Sequence, residues 1–118
     1  MPGYPIKNPG TEHPYVAALY FAIGDCFKSM GKYAFAIDAF NKGFQLKKLG
    51  GFPFKIAQSY EALKQFKDAL NYYIQSAEIR KGDPSLGIAA PLTQETIADA
   101  QRLAKQLGLE KKLPKWME

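Results

Sequence analysis

The chain has 118 residues, 47% of them hydrophobic, and its 16 Lys and Arg against 11 Asp and Glu give a formal charge of +5. That size allows one domain with a modest core, and a single cysteine excludes an internal disulfide. No stretch approaches the ~20 apolar residues of a spanning helix, and the start, MPGYPIKNPGTEHP, has no apolar run after a basic start, so a soluble cytoplasmic protein is the expectation.

Residues 1–13 hold Pro2, Pro5 and Pro9 with Gly3 and Gly10, which reads as an extended arm. Helical spacing of apolar residues begins at Pro14, fills 15–30 and breaks at Gly31. A second helix is predicted over Tyr33 to Leu46, ended by KKLGG. Pro53 opens a third, closing near Lys64, and a fourth runs from Phe66 to Arg80. KGDPSLGIAAPL is then a loop, with Ile88 and Leu92 as apolar pins. Thr93 reads as the N-cap of a fifth helix, with Glu95 in its first turn; Ile97, Ala100, Ala104 and Leu107 form its apolar stripe and Gly108 its end. The tail, 109–118, is basic and offers Trp116 as an anchor. No segment alternates as a strand does, so the fold class is all-α.

Two stretches repeat in side-chain size at an offset of 33 residues: IGDCFKSMGKYAFAIDAF and IAQSYEALKQFKDALNYY. Gly24, Ala36 and Gly43 in the first copy correspond to Ala57, Ala69 and Ser76 in the second. Small residues at these places let paired antiparallel helices approach closely, with Tyr20, Ile23, Phe27, Tyr33 and Phe40 interlocking around them, as Ile56, Tyr60, Phe66 and Tyr73 do in the second copy. Cys26 reads as buried filler. A hairpin of this kind cannot bury its own apolar face, so the two copies are expected to stack, with the fifth helix closing the open end.

The spacing Tyr20-x2-Ile23-Gly24-x2-Phe27, then Ala36-x3-Phe40, resembles the tetratricopeptide repeat. The second copy departs from that pattern: Pro53 stands where a large aromatic is usual, Ala57 for a glycine and Lys64 for the glycine between helices, and neither copy has the closing proline. The resemblance implies an α-solenoid of two hairpins (about 17–49 and 50–82), a loop over 83–92 and a capping helix over 93–108. More narrowly, GDCFKSMGKYAFAI and GFPFKIAQSYEALKQFKDA are similar to the last two repeats of type III secretion translocator chaperones. The further N-terminal repeat of those chaperones has no counterpart here, and the loop and tail are unlike theirs.

In such repeats the first helix of each pair lines a concave groove. By position, that implies a peptide-binding groove of Phe21, Asp25 and Lys28 from the first copy, with Phe54, Gln58 and Glu61 from the second. Two roles are open to Phe21 and Phe54: anchors for a bound segment, or packing against the arm, the cap helix or a second copy. An acid at Asp25 speaks against a clamp for a C-terminal carboxylate. The expected partner is another protein, bound through a short segment. With two repeats where ~3 are usual, self-association as a homodimer through an open hairpin face is a second expectation.

Other classes find less support. His13 reads as a surface or capping residue, nothing is placed to activate Cys26, and no phosphate loop or metal spacing occurs, so no enzyme, cofactor or metal is expected. Nucleic acid is the rival partner, because Lys42, Lys47, Lys48, Lys55, Lys64 and Lys67 lie among many tyrosines. Those tyrosines occupy hairpin-core positions, which is unlike a stacking platform.

Overall fold

The computed structural model describes residues 14–82 and 91–118. The arm with His13, and the loop residues 83–90 with Ile88, lie outside the described residues. Among the described residues there are five helices and no strand: α1 (Pro14–Ser29), α2 (Tyr33–Leu46), α3 (Gly51–Ala62), α4 (Phe66–Lys81) and α5 (Pro91–Leu107). Two 3-10 turns follow, Glu110–Lys112 and Lys115–Met117. Each helix packs on the next in the chain, α1 on α2, α2 on α3, α3 on α4 and α4 on α5. This is the serial stacking of an α-solenoid.

Two helices start earlier than their sequence signals. α3 begins at Gly51, so Pro53 sits inside the first turn, where its missing N–H has no intrahelical acceptor to lose. α5 begins at Pro91, so Thr93 is the third helical residue and is buried, rather than serving as the N-cap. Glu95 consequently falls past the first turn.

Three helices end alike. Gly31, Lys64 and Gly108 take left-handed φ values of 76°, 63° and 70° after α1, α3 and α5. The next residue's amide then reaches back to a carbonyl five residues earlier: Lys32 to Phe27 at 2.8 Å, Gln65 to Tyr60 at 2.9 Å and Leu109 to Ala104 at 2.8 Å. These are Schellman closures, which satisfy carbonyls that the helix end would otherwise leave open. Glycine takes this conformation freely, whereas Lys64 takes it against a Cβ clash.

The small residues do what their spacing implies, with one difference. A Cβ on Gly24 would stand 2.5 Å from the Phe40 ring, so the ring of α2 packs directly on the backbone of α1 there. Gly43 instead makes room for Phe52 of α3 as well as Tyr20 of α1. It therefore serves the contact between copies more than the contact within one. At the matching place Ser76 is buried and its hydroxyl donates to the Gly50 carbonyl at 2.7 Å, which ties α4 to the start of α3 within the second copy.

Phe40, Ile56 and Tyr73 are buried as expected, but Ile23 is 45% exposed while its counterpart Ile56 is 0%. Leu19 and Phe52, also 33 apart, differ likewise at 54% and 2%. Cys26 is exposed too, contrary to its reading as filler, whereas the matching Ser59 is buried. The reason is positional: α3 lays this face on α2, and no described element precedes α1 to receive the same face.

The closing end is well sealed. Leu103 and Ala104 of α5 are fully buried with Tyr73 and Ala77 of α4, and Leu113 and Met117 of the tail fold onto the same cluster. Met117, not Trp116, is the deep anchor; the Gln101 side-chain amide donates to its carbonyl, while Trp116 is half-buried under the Lys81 ammonium. Arg80, only 6% exposed, ties α4 to α5: one guanidinium nitrogen donates to the Leu92 carbonyl at 2.9 Å and to the Thr96 hydroxyl at 2.5 Å. Its guanidinium also lies 5.0 Å from the centre of the Phe54 ring. Leu92 itself is half exposed rather than pinned down.

Candidate functional site

The residues Asp25, Gln58 and Arg102 each stand six positions before a left-handed helix end, at 31, 64 and 108. Equal distance from an equal turn places them at equivalent points of α1, α3 and α5. Two ion pairs lace these three helices. Lys55 of α3 meets Asp25 of α1 at 3.1 Å, and Arg102 of α5 meets Glu61 of α3 at 3.0 Å. Arg102 also reaches Asp99 on its own helix at 3.5 Å.

Glu61 is held from two sides, since the Tyr73 hydroxyl donates to it at 2.9 Å. Burial pushes its carboxyl up, but the hydrogen bonds from Arg102 and Tyr73, with the guanidinium charge, outweigh that and hold it below the ordinary glutamate range. The same contact, added to burial, pushes the Tyr73 phenol well up. Asp99 moves the other way: burial raises it, Arg102 only partly offsets this, and Glu95 and Glu61 add to it. The α3–α5 side of the site thus brings three carboxylates, Glu61, Glu95 and Asp99, together with one guanidinium, Arg102.

A cavity of about 530 Å³ opens here, lined by Lys28, Gln58, Glu61, Glu95, Asp99 and Arg102 among others. Inside the protein, the Gln58 Oε1 atom is buried and has no donor; among the described residues no other buried side-chain polar atom lacks a partner. A second cavity, of about 410 Å³ and mostly apolar, lies where α1, α3 and α5 begin, with Ala17, Phe21, Leu49, Phe52 and Leu92 in its wall.

The six sequence-derived groove positions thus divide. Lys28, Gln58 and Glu61 meet in the polar cavity. Phe21 borders the apolar one, its ring edge-on to Phe40 and Phe52 at 5.6 and 5.4 Å. Asp25 is engaged by Lys55. Phe54 is 9% exposed and packs edge-on to Tyr73 at 5.8 Å. Glu95, Asp99 and Arg102 were not read as site residues, because α5 was taken only as a cap. The signal for Arg102 was present, six residues before Gly108.

Among the described residues no group of three His, Cys, Asp or Glu side chains is placed to hold a metal, and no helix is long and apolar enough to cross a membrane. Residues 17–48 and 54–83 match the family model of the tetratricopeptide repeat. No curated protein and no solved structure matches the chain.

Proposed function

The chain belongs to the tetratricopeptide repeat family, whose repeats mediate contacts between proteins, and from that premise we propose that it binds a segment of a partner protein along the groove of α1, α3 and α5. The observation that carries this reading is Gln58 Oε1, a buried acceptor with no donor, in the wall of an open polar cavity. An unmet buried acceptor costs about 1–3 kcal/mol, and a ligand donor offsets this when the side-chain amide turns its oxygen toward the cavity. The backbone N–H of an extended segment, or a lysine or arginine side chain, supplies it. The second kind also meets the Glu95 and Asp99 carboxylates in the cavity wall. Phe21, beside the apolar cavity, is the place for a hydrophobic side chain of the same segment.

Phe54 is unsuited to testing this groove, since a charge there would enter the core. The test uses peptides selected from a random library on the purified chain. Enrichment for basic residues is expected, with affinity falling about fivefold in Gln58→Ala, the worth of one hydrogen bond. Selected peptides that bind wild type, Gln58→Ala and Lys28→Glu equally well sink the groove assignment.

A further inference from the structure

We propose that α1 pairs with α1 of a second copy of this chain across a two-fold axis. Val16, Leu19, Ile23, Cys26 and Met30 recur at intervals of 3, 4, 3 and 4 along α1 and just past its end. That is the spacing of a coiled-coil seam, the stripe one helix offers to another. Leu19, Ile23, Cys26 and Met30 are all exposed. The flanking Ala22 and Ser29 are exposed, small and uncharged, so a second helix backbone can come close. Phe35 of α2, 61% exposed and 5.5 Å from the Phe27 ring, adds apolar surface at the hairpin's end.

The occupant is a second copy for two reasons. The strip carries no charge, so it meets itself with nothing left unpaired. The other end of the solenoid is sealed by α5 and the tail, so head-to-tail growth has no acceptor and the closed two-fold pair remains. The strip offers on the order of 500 Å² per copy, ~1,000 Å² per pair, which is the low end for a specific interface. Phe21, Asp25 and Lys28 lie on the opposite side of α1 at about 100° per residue, so pairing leaves the groove open and does not depend on it.

On a two-fold axis the central residue of the seam meets its own copy whether the helices run parallel or antiparallel. Ile23 is that residue. The test follows the rate of maleimide modification of Cys26 in the full chain under reducing conditions, with sedimentation alongside. Between ~1 and ~200 µM protein the rate should fall about fivefold for a dissociation constant near 10 µM, as the dimer population grows. Ile23→Glu and Leu19→Lys should keep the rate high at every concentration, with unchanged helical circular dichroism. In Cys26→Ser, the added Ile23→Cys should yield a disulfide-linked dimer on oxidation. Protection of Cys26 that does not change with concentration means the chain covers its own strip and overturns the proposal. A monomer throughout, with Cys26 always reactive, overturns it as well, and so does a dimer that both charged variants leave intact.

Discussion

Lys64 shows how a family's pattern can be broken while its geometry is kept. The residue holds the left-handed φ of 63° that glycine holds at 31 and 108, with the same backbone closure around it. A non-glycine residue there costs about 1–2 kcal/mol, partly offset because glycine loses more freedom on folding. Lys64→Gly is therefore expected to stabilise the chain by about 0.5–1 kcal/mol, seen as a melting temperature about 2–5 °C higher. A lower melting temperature would mean that the lysine makes a compensating contact. Gly24 and Gly43 are glycines for another reason: each has a neighbouring ring where its Cβ would go.

Among the elements, α3 is held by ion pairs to both neighbours of its row, through Asp25–Lys55 to α1 and Glu61–Arg102 to α5. Because the Glu61 carboxyl is depressed in the folded chain, its contribution is present above the unfolded value of about 4.3 and is lost as pH falls through the lower folded value. Glu61→Gln should cost about 1 kcal/mol at neutral pH. The gap between variant and wild type should close as pH falls through the lowered folded value, below which both carry a neutral side chain. Thermal unfolding at pH 7 and pH 3 reads this directly; an equal gap at both values would show that the pair contributes through packing alone.

At the scale of the molecule, the first copy shares one apolar cluster with α3, while the second copy shares another with α5 and the tail. Tyr60 and Tyr72, stacked at 5.5 Å, border both clusters. Arg80 fastens the cap to the second. Arg80→Ala is expected to lose about 2 kcal/mol, from its two hydrogen bonds and its packing on Phe54. The loss should be local: amide exchange should quicken first in α5, with α1 and α2 still protected. Uniform quickening along the chain would show one cooperative unit instead.

The bounds of α1 and α2, the hairpins and the all-α class were legible in the sequence, because side-chain volume at helical spacing dictates which helices can nest. The places of Phe21, Asp25 and Lys28 along α1, and of Gln58 and Glu61 along α3, could be counted off for the same reason, whereas their role could not. Burial could not be: Ile23 and Ile56 are the same residue at the same repeat position, and only the helix stacked against one of them makes the difference. Phe54 went into the core and Cys26 out to the surface through such neighbours. The role of α5 was likewise decided in three dimensions, since Glu61 and Arg102 lie 41 residues apart along the chain and only folding brings them to 3.0 Å.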